Sequence, residues 1–319
     1  MNEPIGILYE HPEWFQPLFA ALDRRGLAYE RIPAQEHRFD PAARSAPYSL
    51  VVNRVSPSSY LRDHARAIFY AQQYLAHLEE IGVPVVNGLR AYRLELSKAR
   101  QLQLLARLGL PHPRSRVVNA VAEIAPAAAE LDYPIIVKPN VGGSGALMRR
   151  FDTPGELAAA VADRELDSIL GLDYTAIVQE YHPPRHDSIV RVEALDDRLL
   201  YAIRIYNDTQ DSFNLCPADI CQLPPPGQRG VKKPLRVEAA EPPAWVIEAV
   251  LQIFRANSID IGGVEYLESA RDGGLYLYDI NALSNFVTDA PRIVGFDPFE
   301  DFVDYLARRA GLAVGAVAP

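Results

Sequence analysis

A lysine and a glycine-rich segment follow one of the apolar runs of the chain. Ile135-Ile136-Val137 reads as a strand that ends in Lys138, and Gly142-Gly143-Ser144-Gly145 comes shortly after it. Glycines let backbone N–H groups approach phosphate oxygens, and an ammonium adds a point charge for them. The spacing matches neither a P-loop nor a Rossmann dinucleotide motif. Two interpretations stay open, a phosphate-binding loop and an ordinary surface turn between strands.

Two predicted strands near the C-terminus carry oxygen ligands. Glu265 ends the run Gly262-Gly263-Val264, and Asp279 and Asn281 alternate along the next strand. Alternation places Asp279 and Asn281 on one face, and Glu265 joins them if the two strands pair. Two carboxylates and a carboxamide suit Mg²⁺, which binds few carboxylates plus substrate phosphates. We interpret the set as a metal site; the alternative is that charged residues merely end two strands at the surface.

Three further segments carry weaker signals. The apolar strand Ala176–Val178 runs into a polar linker whose backbone groups could read an adenine edge. Arg54 follows a strand end, where ligands gather in open α/β sheets, so it is either a substrate-carboxylate ligand or a solvated arginine. Cys216 and Cys221 are spaced poorly for zinc, and Asp219 between them is a candidate acceptor contact.

The order of the predicted elements gives the fold class. Strands alternate with helices up to about residue 92, which predicts a small parallel sheet with helices on both faces. A compact α+β module follows, beginning with a helix that Ser97 caps. Two strands joined at Asp196-Asp197 then read as a hairpin. The remaining predictions are an extended proline-rich loop over 222–243, helices at 120–131, 244–256 and 299–310, and strands at 262–267 and 275–280.

Composition limits the class of partner. The chain has 319 residues, 49% hydrophobic and 23% charged, with a net charge of -9. This length predicts two or three domains, and the acidic balance argues against nucleic-acid and anionic membrane partners. No apolar run approaches the roughly 18–20 residues of a membrane span. Two cysteines and a start without a secretory signal predict a cytoplasmic protein.

These features in this order resemble the ATP-grasp superfamily, and within it the RimK-like glutamate ligases and the glutathione-synthetase-type carboxylate–amine ligases. The resemblance covers roughly residues 95–290. It implies an α/β protein built of α+β modules with the ATP-grasp fold. The implied domains are a parallel-sheet pre-ATP-grasp domain over 1–94, a lid module over 95–180 and an antiparallel-sheet module with the metal site over 181–319.

The resemblance also implies roles for residues. Arg191 and Arg204, on successive strands, match arginines that steady the γ-phosphate and the acyl-phosphate. The glycine loop would close over the triphosphate as a lid, Glu180 and Tyr181 would form the adenine-side hinge, and Asp187 would bind ribose. The implied nucleotide-binding residues are Lys98, Lys138, Gly142, Gly143, Ser144, Gly145, Gln179, Glu180, Tyr181, Asp187 and Asn214. Glu265, Asp279 and Asn281 would bind Mg²⁺, or Mn²⁺ in its place.

Two departures from the family pattern bear on the substrate. The carboxylates come in the order Glu265 then Asp279, whereas the family has Asp then Glu; an exchange between strands preserves the ligand set. Asn281 is followed by Ala-Leu-Ser-Asn-Phe, which differs from the usual segment beside the acceptor site. Ser284 and Asn285 are therefore substrate candidates, and the amine substrate of a known member does not transfer.

The predicted function is an ATP- and Mg²⁺-dependent carboxylate–amine ligase that forms an amide through an acyl-phosphate. Its partners would be a small-molecule carboxylate and an amine, such as amino acids or small peptides, with no nucleic acid and no membrane; a homo-oligomer is compatible with the sequence. Two alternatives stay open. One is a catalytically degenerate nucleotide- or amino-acid-binding module. The other is an ATP-grasp ligase with a different acceptor, such as a protein tail or a hydroxy acid.

Overall fold

The N-terminal part of the chain folds around a parallel sheet. The computed structural model describes residues 3–207, 213, 215 and 235–312. Continuous apolar strands such as Leu50-Val51-Val52 must be covered on both faces, which helices on either side accomplish. The elements are β1 (Ile5–Tyr9), α1 (Gln16–Arg24), β2 (Tyr29–Pro33), β3 (Leu50–Arg54), α2 (Ala65–Glu80), β4 (Val85–Val86) and α3 (Leu89–Glu95). The strands pair in the order β2-β1-β3-β4, all parallel.

An antiparallel sheet with helices on one face follows. The elements are α4 (Lys98–Arg107), β5 (Ser115–Val118), α5 (Ile124–Ala128), β6 (Ile135–Pro139), β7 (Arg149–Phe151), α6 (Pro154–Ala162) and β8 (Ala176–Glu180). The strand order is β5-β8-β6-β7. Val137 and Val178 on the inner strands pack against Ile124 and Leu157 of α5 and α6, so this sheet has its own core.

A second antiparallel sheet forms the C-terminal part. The elements are β9 (Ser188–Leu195), β10 (Arg198–Tyr206), β11 (Arg236–Ala239), α7 (Ala244–Asn257), β12 (Ile261–Glu268), β13 (Leu275–Asn281), α8 (Ala290–Val294) and α9 (Pro298–Arg309). The strand order is β11-β10-β9-β12-β13. An apolar cluster joins this sheet to the parallel sheet. It contains Ile7 and Val52 of the parallel sheet, Ile203 of β10 and Phe302 of α9.

Most predicted elements are present, with corrections at three places. The fold class is confirmed, as are the Ser97 N-cap, whose Oγ accepts from Arg100 N at 3.3 Å, and the hairpin at Asp196-Asp197. The helix predicted over 120–131 is shorter, and the region predicted as a loop over 222–243 contains β11. The sequence pattern missed α3 and α8, which are only 7 and 5 residues long. The domain boundaries stay a prediction. In the described part of the chain, no helix combines the length and apolarity that a membrane crossing needs.

Gly262 gives a prediction about stability. A Cβ at this position would meet the backbone carbonyl of Asn281 far inside contact distance, so Gly262→Ala must push β12 and β13 apart. We expect a loss of about 2–3 kcal/mol and a melting temperature several degrees lower. Differential scanning calorimetry measures this. Gly155→Ala is the matched control, because its Cβ meets only Thr153 Oγ1 at 3.9 Å; equal melting temperatures for both variants would contradict the prediction.

Candidate active site

Residues from all three sheets line a cavity of about 250 Å³. Its wall includes most of the predicted site residues although they are far apart in sequence. These are Arg54, Lys98, Lys138, Gly142, Gly143, Ser144, Gly145, Gln179, Glu180, Tyr181, Asp187, Arg191, Glu265, Asp279, Asn281, Ser284 and Asn285. The fold therefore brings together groups that the sequence analysis connected only by chain order.

Two lysines place ammonium groups in the cavity. Lys98, the first residue of α4, lies with its Nζ 2.6 Å from Asp279 Oδ1. Lys138 on β6 is buried and donates to Gln179 Oε1 at 2.9 Å. Burial, with the neighbouring charge of Lys98, lowers the pKa of Lys138 to about 7. An anion bound in the cavity would reverse this shift, because it favours the charged form.

Asn140 fixes the two lysines relative to each other. Its Oδ1 accepts from Ser97 Oγ at 3.1 Å and from Ala99 N at 2.8 Å, at the start of α4. Asn140 directly follows β6, so its side chain ties the helix of Lys98 to the strand of Lys138. The elements that carry the two ammonium groups are thus linked through the side chain and the carbonyl of Asn140.

The glycine loop covers the cavity in a closely packed arrangement. A Cβ at Gly143 would come within 2.9 Å of Ser58 Cβ, and a Cβ at Gly145 would come within 2.6 Å of the Phe213 backbone. Gly145 also has φ +66°, a conformation that side chains disfavour. The loop therefore lies against residue 58 of the N-terminal part, where only small residues fit.

Strand pairing gathers the three predicted metal ligands. Glu265 on β12 is opposite Asp279 on β13, and Gly263 is opposite Asn281, so the three oxygen-bearing side chains share a face. Glu265 accepts from Arg191 Nη1 at 3.0 Å and from Tyr278 OH at 2.8 Å. Two carboxylates and an amide oxygen are hard donors that fit Mg²⁺. Within the described residues, no cluster of three His, Cys, Asp or Glu side chains forms a metal site by itself.

The two carboxylates titrate as a pair with opposite shifts. Burial and the charge of Asp279 raise the pKa of Glu265, although Arg191 opposes the shift. Burial would also raise the pKa of Asp279, but Lys98 and Lys138 outweigh it and hold that pKa below its usual value. Asp279 is therefore the stronger anion of the two, and a cation bound between them would lower the pKa of both.

The predicted adenine-side hinge has a polar edge and an apolar wall. Glu180 Oε1 accepts from Arg114 Nη1 at 3.1 Å and from the backbone N of Asp132 at 3.0 Å. The Arg150 guanidinium lies 4.6 Å from the ring centroid of Tyr181. Apolar side chains complete the wall, namely Ile136, Met148 and Leu267. A flat aromatic ligand would fit between such groups. The Gln179 side chain accepts from Lys138 and donates to Ser115 Oγ at the cavity wall.

The opposite end of the cavity contains a buried arginine. Arg54, at the end of β3, is 2% exposed, and its Nη2 donates to the carbonyl of Ser284 and to Asn285 Oδ1 at 3.1 Å. Burial lowers the pKa of Arg54 to about 10, although Glu193 and Glu95 oppose the shift, so the guanidinium is a cation at neutral pH.

Two acidic residues of this end were missed by the sequence analysis. Glu193 is fully buried on β9, and its Oε1 accepts from Arg191 Nε at 2.6 Å and from Ser284 Oγ at 2.8 Å. Glu95 ends α3 and accepts from Ala282 N; burial raises the pKa of Glu95 to about 7. Alternation within Arg191-Val192-Glu193 was a usable signal for Glu193, because both polar residues must share a face.

Three predicted residues are not placed in the cavity. Arg204 faces the other side of the sheet: it is opposite Val190, donates to Ser188 Oγ at 3.1 Å and lines a separate cavity. Grouping it with Arg191 was therefore wrong. Asn214 and Asp219 lie outside the described residues, as do Cys216 and Cys221.

Sequence comparison finds relatives among ligases. No sequence-family model matches the chain. The D-alanine–D-alanine ligase of Ectopseudomonas mendocina is 38% identical over 110 residues, which is 32% of this chain and 35% of that protein. The chain thus matches only about a third of the length of this relative, and about a quarter of the D-alanine–D-alanine ligases of two Pseudomonas species. A probable alpha-L-glutamate ligase of Shewanella amazonensis is 24% identical over 281 residues, 81% of this chain and 85% of that protein.

Structural comparison extends the likeness over almost the whole chain. The ATP-grasp ligase PsnB, solved in complex with a minimal precursor, superposes with a TM-score of 0.68 at 22% identity. The superposition covers 97% of this chain and 100% of PsnB. At this level of identity, a superposition of this extent shows a common fold. The chain therefore has the fold of the ATP-grasp ligases.

Proposed function

We propose that this protein is an ATP- and Mg²⁺-dependent ligase that joins a carboxylate to an amine through an acyl-phosphate. The observation that carries the proposal is the convergence, in one cavity, of Lys98, Lys138 and Arg191 with the oxygen ligands of β12 and β13 under a glycine loop. The cations match the charge of a triphosphate, and the oxygen ligands match its metal. The named ligases among the relatives support the same reading.

The residues of the chain would act mainly by charge and position. Lys98 and Lys138 would hold the β- and γ-phosphates in line with the donor carboxylate. Mg²⁺, held by Glu265, Asp279 and Asn281, would supply positive charge that stabilises the transferred phosphoryl group. Arg191, which donates to Glu265 Oε1 at 3.0 Å beside the proposed metal ligands, would steady the negative oxygens of the acyl-phosphate.

The loop and the amine complete the proposed reaction. The acyl-phosphate hydrolyses readily, so the close contact between Gly143 and Ser58 would serve to exclude water. The amine nitrogen then attacks the acyl carbon, a C–N bond forms, and the C–O bond to phosphate breaks with its electron pair on the phosphate. None of these steps needs a nucleophilic side chain. We infer that the donor and acceptor are small carboxylates and amines, amino acids or short peptides among them.

A trapping assay tests the proposal. The purified protein is incubated with ATP, Mg²⁺ and a pool of amino acids and short peptides, with hydroxylamine added to intercept acyl-phosphates. We expect Mg²⁺-dependent ADP release and hydroxamates that mass spectrometry identifies. ATP binding without ADP or hydroxamate across the pool would instead support the catalytically degenerate binding module. ADP release that requires a protein or a hydroxy acid would support the ligase with a different acceptor.

A further inference from the structure

Arg54 has two side-chain nitrogen atoms whose N–H groups no described residue satisfies. Its Nη2 contacts the carbonyl of Ser284 and the Asn285 side chain, while Nε and Nη1 are buried without a partner among the described residues. The ring of Phe15 lies 4.9 Å from the guanidinium carbon, which keeps water from one face. A buried cation with unmet donors is costly unless a ligand completes it, and a carboxylate matches the guanidinium geometry.

Glu193, in the same cavity, has a carboxylate oxygen that lacks a hydrogen-bond donor in the described part of the chain. Its Oε1 accepts from Arg191 Nε and Ser284 Oγ, whereas Oε2 is buried without a partner among the described residues. Glu193 is 0% exposed, so this oxygen cannot be satisfied by bulk water. An unmet carboxylate oxygen calls for an N–H donor, and an ammonium or amine is the donor that also balances its charge.

Ser284 connects the two unmet groups. Its carbonyl accepts a hydrogen bond from Arg54 Nη2, and its hydroxyl donates one to Glu193 Oε1. Both the arginine and the glutamate therefore contact this one residue. Resting on the ligase function proposed above, we propose that Arg54 and Glu193 form the acceptor subsite and bind the two charged ends of a free amino acid. Arg54 binds its carboxylate, and Glu193 Oε2 binds its amine.

The position of Arg191 fixes the orientation of this acceptor. Arg191 contacts both Glu193 and Glu265, so the amine end of the subsite lies beside the reacting phosphoryl group and the Arg54 end lies away from it. A carboxylate held by Arg54 is not the one that is phosphorylated, and the bound amino acid is therefore the nucleophile. The bound ammonium first gives one proton to Glu193 Oε2, which frees the nitrogen lone pair. As the nitrogen then attacks the acyl carbon, the C–O bond to phosphate breaks and the departing phosphate takes up the second proton.

A competition experiment with the wild-type protein tests this assignment. The reaction contains ATP, Mg²⁺, a pool of free amino acids and an equal concentration of the corresponding amino-acid amides, which lack the carboxylate. Mass spectrometry then compares products that end in a carboxylate with products that end in an amide. We expect the free acids to be used at least about 30-fold more often. Equal use of acids and amides would overturn the proposal. It would also be overturned if the trapping assay gave hydroxamates while this reaction gave neither product.

Variants separate the subsite from the activation step. Arg54→Gln should bring the ratio of acid to amide products close to one. Arg54→Lys keeps the positive charge but loses the planar, two-pronged donor geometry of the guanidinium. Its ratio of acid to amide products should lie between those of wild type and Arg54→Gln. Glu193→Gln should slow product formation with both pools. Arg93→Gln, on the exposed face of α3, is the matched control and should behave as wild type. An unchanged ratio in Arg54→Gln would refute the subsite.

Binding without turnover keeps the subsite testable apart from the ligase function. Equilibrium dialysis with a radiolabelled amino-acid pool needs neither ATP nor catalysis. If no hydroxamate forms with wild-type protein, the ligase proposal fails, and the dialysis decides the subsite by itself. Label retained by wild type and Arg93→Gln but lost from Arg54→Gln supports it; equal retention by all three, or by none, overturns it.

Discussion

Replacing Asp279 by Asn is expected to lower the rate of Mg²⁺-dependent ATP cleavage about 100- to 1,000-fold. Asp279 is the more acidic member of the carboxylate pair, because Lys98 and Lys138 hold its pKa below the usual value. It is therefore the main anionic ligand that the cavity offers to a divalent cation. The amide keeps the size of the side chain and loses the charge. Steady-state ADP release over a range of Mg²⁺ concentrations measures the effect.

The same variant distinguishes a metal ligand from a merely structural carboxylate. Without Mg²⁺, the Asp279 carboxylate repels a triphosphate, so Asp279→Asn should bind free ATP at least as tightly as wild type. With Mg²⁺, the gain in affinity that the metal gives should be smaller in the variant. Asp197→Asn, at the exposed turn between β9 and β10, is the matched control. Wild-type Mg²⁺ dependence in Asp279→Asn would show that Asp279 does not bind the metal.

Local sequence patterns were sufficient to predict that Glu265, Asp279 and Asn281 share one face of the sheet. Alternation placed Asp279 and Asn281 together, and the pairing of β12 with β13 added Glu265. Ser97 was recognisable because a cap acts on the N–H groups of the next turn. The glycine loop was recognisable because its conformation depends on its own residues, such as Gly145 with φ +66°. In each case the information lies within a few residues of the feature or in one strand pair.

Arg204 shows where such patterns fail. In an unbroken hairpin, a turn at Asp196-Asp197 would set Arg204 opposite Ile189, on the same face as Arg191. A bulge between Leu199 and Tyr201 shifts the register by one residue, and Arg204 is opposite Val190 on the other face. The turn residues Asp196-Asp197 do not encode this shift, which occurs farther along β10.

The proposed acceptor subsite was only partly accessible from the sequence, which gave Arg54 and Ser284 as substrate candidates and missed Glu193. Arg54 and Glu193 come from different sheets and meet through Ser284, whose position depends on the whole C-terminal part of the chain. Glu193 also lies within a largely apolar strand. Its role can be recognised only from the cavity, which the assembled fold creates. Pairings of this kind are long-range, and no spacing rule in one sequence encodes them.

Lys138→Met is expected to weaken binding of MgATP about 100-fold at pH 7 and to reduce the pH dependence of that affinity. In the free protein, burial holds the pKa of Lys138 near 7. A bound triphosphate favours the ammonium and raises that pKa, so wild-type binding takes up a proton above pH 7. Affinity should therefore fall as pH rises above 7, by at most about tenfold per pH unit, until the pKa of the bound state is reached.

Isothermal titration calorimetry with Mg²⁺ in excess, between pH 6.5 and 8.5, measures both effects. Repeating each titration in buffers of different ionisation enthalpy counts the protons taken up. Above pH 7 this number should be larger for wild type than for the variant, by up to about one. Arg100→Met removes a cation from the exposed face of α4 and controls for a general loss of positive charge. A buried lysine that titrates near pH 7 must be protonated before it can bind an anion as an ammonium, and above pH 7 that protonation costs free energy. If the wild-type affinity stayed level across this range, binding of the triphosphate would therefore not depend on the charge of Lys138.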